Sequence, residues 1–208
     1  MLFSKLIARQ FRRPSGLLGL YAANFMKKNN QDYYLQAIEL LTIRDNDAVL
    51  EIGCGAGDAI RQIAEHHSRC RIDAIDFSPL MLKKAARNNR EWLRKGRMHL
   101  MCGDFTTYDF RASRYTKILA INVIYFCDDP GAMFARCRQL LDPGGRIVLF
   151  MSSPERLRSI PFANDDVFHK YTLEFVKDRL AAAGFSAVGH TLVKKQEMET
   201  YYIFAEIA

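Results

Sequence analysis

Five short apolar runs mark the middle of the chain: Ala48 to Ile52, Arg71 to Asp76, Met98 to Cys102, Thr116 to Ile121 and Arg146 to Met151. Runs of this length bounded by Gly, Asp or Pro predict strands buried on both faces. Between them, over Asp58 to His67, Pro79 to Arg94 and Gly131 to Leu141, apolar residues recur at three- and four-residue intervals, the period of a helix with one buried stripe. Ser78 is a natural N-cap, and Pro79 takes the first helical position, where its missing N–H costs nothing. Asp142-Pro143-Gly144-Gly145 stops a helix and turns into the fifth strand. Strands alternating with helices predict a parallel sheet with crossover helices.

A last helix is predicted from Thr172 to Ala183, closed by Gly184, with final strands at Ala187 to Val193 and Thr200 to Ile207. The segment Lys194-Lys195-Gln196-Glu197-Met198-Glu199 is long enough for a hairpin but too short for a crossover helix, so these two strands should be antiparallel. The expected fold is a three-layer α/β/α sandwich on a seven-stranded, mostly parallel sheet with an antiparallel C-terminal strand pair.

The N-terminal pattern differs. Leu2, Phe3, Leu6, Ile7 and Phe11 form a helical stripe with Lys5, Arg9 and Arg12 off it, and Pro14, Gly16 and Gly19 then interrupt the pattern. A second helix is predicted from Asp32 to Leu41, with Tyr34, Leu35, Ile38 and Leu41 on its apolar face, before the turn Arg44-Asp45-Asn46-Asp47. We therefore divide the chain into a helical arm or lid, residues 1–44, and one α/β domain, residues 45–208.

At 208 residues and 49% hydrophobic the chain suits one core better than two. The net charge of +7 resembles a nucleic-acid binder's, but Lys5, Arg9, Arg12, Arg13, Lys27 and Lys28 precede the first acid, leaving the remainder nearly neutral. The basicity belongs to one arm that also has an apolar face, which weighs against nucleic acid and leaves peripheral contact with an anionic membrane as one use for it. The first thirteen residues also fit a transit peptide, although a lid helix is the preferred expectation. Cys54, Cys70, Cys102, Cys127 and Cys137 are odd in number and lack a C-x-x-C, which suggests reduced thiols in a cytoplasmic protein and no zinc site. His66, His67 and His99 show no metal spacing, and no run is long enough for a membrane span.

The chemistry starts at the end of the first strand, where Val49 to Gly57 reads Val-Leu-Glu-Ile-Gly-Cys-Gly-Ala-Gly. Gly53, Gly55 and Gly57 permit positive φ and close approach of a ligand to bare backbone, and Glu51 inside an apolar run needs a hydrogen-bonding role. Two ligand classes use such a turn: dinucleotides, through G-x-G-x-x-G, and ligands without phosphates, through G-x-G-x-G. Here Asp58 stands where the dinucleotide motif has its third glycine; it would repel a pyrophosphate and tolerate a cationic ligand.

Val49 to Asp58 resembles motif I of the class I S-adenosylmethionine-dependent methyltransferases, and residues 45–208 agree with that family in order and spacing. The resemblance implies S-adenosylmethionine as methyl donor, S-adenosylhomocysteine as product, and no metal. It implies that Asp76, at the end of the second strand, accepts from both ribose hydroxyls, and that Phe77 and Met81 flank the adenine. Gly103, Asp104 and Phe105 resemble the family's adenine-binding turn, with the Asp104 carboxylate on the amino group and the next N–H on a ring nitrogen. The backbone at Asn122 would hold the amino-acid end of the donor. The Asn/Asp-Pro-Pro-aromatic signature of nucleobase and protein amine methylation is absent from Asn122 to Pro130, and Tyr125 stands where related enzymes often have a histidine base. Tyr125 and His169, the latter in the crossover Ser152 to Tyr171, are the candidate catalytic residues, and Tyr21, Phe25, Met26 and Tyr125 the candidate acceptor pocket.

The expected function is methyl transfer to O or N of a small molecule by in-line displacement. Two alternatives stand beside it: a lipid or quinone methyltransferase at a membrane surface, and a catalytically idle subunit that binds the donor for regulation.

Overall fold

A computed structural model of the chain describes residues 2–16, 18, 19, 33–163, 166–195 and 198–208. Strands β1 (Ala48–Ile52), β2 (Arg71–Asp76) and β3 (Met98–Cys102) match the apolar runs to the residue, while β4 (Tyr115–Ile121) starts one residue earlier. With β5 (Leu141–Ser152), β6 (Ser186–Lys195) and β7 (Met198–Glu206) they form one sheet of order β3-β2-β1-β4-β5-β7-β6. The pairs among β1 to β5 are parallel, and β7 runs antiparallel to both β5 and β6. The reversal therefore belongs to β7 alone, inserted between β5 and the edge strand β6.

Helices α1 (Leu2–Arg12), α2 (33–41), α3 (Asp58–His66), α4 (Pro79–Asn88), α5 (Arg90–Arg94), α6 (Pro130–Leu140), α7 (Pro154–Arg158) and α8 (Leu173–Ala182) surround the sheet. Phe134 of α6, Val176 and Leu180 of α8 and Ala8 of α1 pack on one face of it, and Ala37, Ile38 and Leu41 of α2 with Ile60 and Ile63 of α3 pack on the other. Two cores on one sheet explain why the central strands lack polar alternation.

Four expectations need correction. The single helix foreseen from Pro79 to Arg94 is two, because the buried Asn89 leaves helical geometry and its Nδ2 donates to the carbonyls of Ala85 (2.9 Å) and Gly57 (3.0 Å). Asp142 to Gly145 lie within β5 as a bulge, since Leu141 pairs with Tyr115 and Arg146 with Lys117, while Gly144 N–H bonds Ile207 O. Leu35 is 54% exposed; Ala37, Ile38 and Leu41 form the buried face of α2. The crossover after β5 contains a short helix, α7, capped by Ser153, which the sequence pattern did not suggest. The side chains of Leu2, Phe3, Lys5 and Leu6, and Asp32 with Lys27 and Lys28, lie outside what is described. No helix among the described residues is long and apolar enough to cross a membrane.

Candidate active site

A cavity of about 910 Å³ opens at the C-terminal ends of β1 to β4, where parallel α/β sheets characteristically bind ligands. It lies at the upper end of the roughly 300–1,000 Å³ spanned by ligand clefts, large enough for two small molecules side by side. Its floor is the glycine turn, and the three glycines answer to three different constraints. Gly53 has φ +69°, and a Cβ there would meet Val123 Cγ2 at 2.5 Å. Gly55, at φ +52°, faces open space in the cavity, and its bare backbone is what a ligand would lie against. Gly57 is different: it is absent from the wall, and a Cβ there would meet Asn89 Nδ2 at 2.5 Å and Ala85 at 3.0 Å. Of the three, Gly57 is demanded by packing between α3 and α4.

Asp76 ends β2 in the wall, fixed by two amides: Gly55 N–H donates to Oδ2 at 2.9 Å and Ser78 N–H to Oδ1 at 2.8 Å. A carboxylate accepts about four hydrogen bonds, so each oxygen retains a lone pair for an external hydroxyl. Burial raises its pKa, and the two amides oppose that shift. Glu51 lies beside it, 3% exposed, with no partner for Oε2 among the described residues. Its pKa stands well above the ordinary range through burial first, then the fields of Asp76 and Asp58, and the Ile60 amide lowers it only in part. A buried acceptor without a donor, on a residue that lines the cavity, is chemically suited to an ammonium or a hydroxyl. Asp58, also in the wall, is paired with Arg61 at 3.6 Å.

Phe77, Met81, Gly103, Asp104 and Phe105 line the side of the cavity formed by the ends of β2 and β3. Asp104 Oδ1 accepts from Thr106 N (2.8 Å) and Oγ1 (2.6 Å), which fixes the turn. Gly103 has no room for a side chain because Tyr108 Cδ2 would lie 2.7 Å from its Cβ. Asn122, after β4, is in the wall with φ +58°, a conformation that Asn tolerates better than most residues, and its N–H bonds Phe150 O at 3.0 Å.

The two candidate catalytic residues stand elsewhere. Tyr125 lies behind the wall, 3% exposed; its hydroxyl donates to Asn122 Oδ1 at 3.0 Å and accepts from Ser152 N–H. Burial pushes its pKa up to about 12, although the bond from Ser152 opposes the rise, so it is a neutral phenol that holds Asn122 in place. His169 is likewise outside the wall: Nε2 is 2.9 Å from Asp128 Oδ1, its amide bonds Tyr125 O, and its ring stacks on Tyr171. Asp128 is in the wall, with its pKa lowered first by His169 and then by Arg12, whose guanidinium is 3.7 Å away. Tyr21, Phe25 and Met26 lie outside the described residues.

Residues 9–15 of the arm line the cavity. Ser78 fastens them: its Oγ donates to Pro14 O at 2.7 Å while accepting from Met81 N as the α4 cap. Phe11 stacks on Phe162 at 4.2 Å, and the Arg13 guanidinium sits 5.9 Å from the Phe77 ring centroid. Nothing local in the sequence signals the bond between Ser78 and Pro14, which joins residues 64 apart. No group of three His, Cys, Asp or Glu that could hold a metal is found among the described residues.

Residues 49–145 match a family model described as a methyltransferase domain. The uncharacterized methyltransferase YdaC of Bacillus subtilis (strain 168) is 30% identical over 146 residues, covering 67% of this chain and 78% of that protein. The malonyl-(acyl-carrier protein) O-methyltransferase of Methylovorus sp. (strain MP688) is 26% identical over 190 residues, 87% of this chain; the chain spans 63% of that relative's length. Among solved structures, the complex between the Haloferax volcanii Trm112 methyltransferase activator and the putative methyltransferase gives a TM-score of 0.76 at 15% identity, covering 88% of this chain and 92% of the matched one, a likeness of fold.

Proposed function

Because the chain belongs to the class I S-adenosylmethionine-dependent methyltransferases, we propose that it methylates an oxygen or nitrogen of a small molecule held between the loop after β4 and residues 9–15 of the arm. The observation that carries this is the single cavity shared by the glycine turn, Asp76 and the arm. Residues 1–44 act as the lid and residues 45–208 as the catalytic domain. When bound, S-adenosylmethionine supplies an activated methyl on a sulfonium whose departure needs no acid.

The residues present fit that donor. Asp76 offers one free lone pair per oxygen to the ribose hydroxyls, Gly55 lets the ligand lie against the turn, and Glu51 Oε2 provides an acceptor for the ammonium. Phe77 and Met81 flank the adenine, and the Asp104 turn with the Phe105 amide reads its edge. Tyr125 acts as a positioning residue, through Asn122, at the amino-acid end of the donor. The arm excludes water and aligns the nucleophile, which is the main task for a reaction with so good a leaving group. The acceptor's proton passes to water, because Asp128, its pKa lowered by His169 and Arg12, is a poor base. Five unpaired cysteines support a reducing, cytoplasmic setting.

The apolar side of α1 near Ala8 and Phe11 is turned onto the protein, which favours a lid over membrane contact. The described wall contains no histidine or lysine, and this favours the idle, donor-binding subunit as the second reading. Calorimetry with S-adenosylmethionine followed by a screen for S-adenosylhomocysteine release over hydroxyl and amine acceptors separates the two. Turnover with any acceptor removes the idle reading; failure to bind either form of the donor overturns both.

A further inference from the structure

We propose that the acceptor carries a carboxylate or phosphate group, received by the guanidinium groups of Arg9 and Arg13. This rests on reading the cavity as a methyltransferase site and goes further by naming the acceptor's chemistry. What decides it is which arginines of the cavity wall are already paired. Arg12 is committed to Asp128, which is also bonded by His169. Asp76 and Asp104 are held by fixed donors, Asp129 accepts from Ala132 N as the cap of α6, and Asp58 has Arg61. Of the three arginines in the wall, Arg9 and Arg13 have no ion pair among the described residues, and Arg13 lies 5.9 Å from the Phe77 ring centroid.

Arg13 N–H bonds Arg9 O at 2.8 Å, so the two are one helical turn apart and share a face. Arg12, adjacent in sequence, points away from that face to Asp128. A pair of guanidinium forks on one face matches the planar oxygens of a carboxylate or the tripod of a phosphate. Phe11, Phe126 and Met133 provide an apolar wall for the body of such a molecule.

The test uses the full chain saturated with S-adenosylhomocysteine, whose own binding is measured first; no binding at that step overturns the methyltransferase reading and this one together. Calorimetric titration then compares 4-hydroxybenzoate and 4-hydroxyphenyl phosphate with the neutral, similarly shaped 4-hydroxybenzamide. We expect both anions to bind at least about tenfold more tightly than the amide, and the preference to fall to about twofold in the Arg9→Gln/Arg13→Gln double variant. Retained binding of S-adenosylhomocysteine shows that variant to be folded. Equal affinity for the amide, no detectable binding of either anion, or an undiminished preference in the double variant overturns the proposal. So does the absence of any anion preference combined with arginine-dependent retention on phosphatidylglycerol vesicles, which would assign the pair to a membrane surface.

Discussion

The amide of Gly55 and the carboxylate of Asp76 are joined by a 2.9 Å hydrogen bond across 21 residues of chain. One carboxylate thus shapes the glycine turn and keeps a free lone pair on each oxygen toward the cavity. Asp76→Asn retains the size of the side chain but gives up half its acceptor capacity, and two charge-assisted bonds at about 1.5–3 kcal/mol each are at stake. We expect S-adenosylhomocysteine affinity to fall about 100-fold or more with the thermal midpoint little changed. Calorimetry and thermal denaturation check the two together; near-normal affinity places the ribose elsewhere.

Gly55 and Gly57 should respond in opposite ways to alanine. At Gly57 the new Cβ meets Asn89 and Ala85 and also carries the strain of φ +75°, so Gly57→Ala should cost about 2 kcal/mol or more of stability. At Gly55 the Cβ enters open space that a ligand would occupy, so Gly55→Ala should cost about 1 kcal/mol of stability but most of the affinity. Urea denaturation beside ligand titration distinguishes a packing glycine from a binding one. Equal profiles in the two variants contradict this division.

Glu51 sets a dependence on pH. Its folded pKa is raised by burial and by Asp76 and Asp58, so between the unfolded value near 4.3 and the raised folded value the native state binds the extra proton. The stability this contributes is complete below the unfolded value and is lost as pH rises through the folded one. Unliganded protein should therefore weaken over that interval, and Glu51→Gln should weaken less. Donor affinity should move the other way and rise with pH, since an ammonium at Oε2 favours the ionised carboxylate. Urea titrations and calorimetry at several pH values test both signs.

The arm is held by apolar stacking more than by charge. Arg12 and Asp128 are 41% and 74% exposed, and such pairs contribute about 0–1 kcal/mol. Phe11, stacked on Phe162, loses an aromatic contact of about 0.5–1.5 kcal/mol beyond its buried area when truncated. Phe11→Ala should speed tryptic cleavage after Arg9 and Arg12 well above wild type, and Arg12→Ala, scored at Arg9, only slightly. The reverse order would make the ion pair the latch.

Tyr125→Phe removes the donor to Asn122 and the acceptor for Ser152 N–H while preserving the ring. If the tyrosine works through Asn122, the variant should weaken donor binding several-fold and leave the pH profile of turnover unshifted. A shifted profile with unchanged binding would instead make Tyr125 a proton-transfer group.

Several features were legible in the sequence because they rest on local rules. An apolar run bounded by turn residues is a strand wherever it packs, and β1, β2 and β3 begin and end at the predicted residues. Six residues cannot hold a crossover, so β6 and β7 had to be antiparallel. The G-x-G-x-G spacing with an acid at Asp58 set the turn apart from a phosphate-binding one, while the methyl donor and the role of Asp76 came from the resemblance to a known family. What only the tertiary structure decided depends on residues far apart in the chain. Asn89 breaks a helix to reach Gly57, 32 residues away; Tyr125 turns inward to meet Ser152, 27 residues on; and Pro14 lies over the cavity because Ser78 holds its carbonyl. A buried polar group must find its partner wherever the folded chain supplies one, and periodicity along the sequence carries no record of that choice.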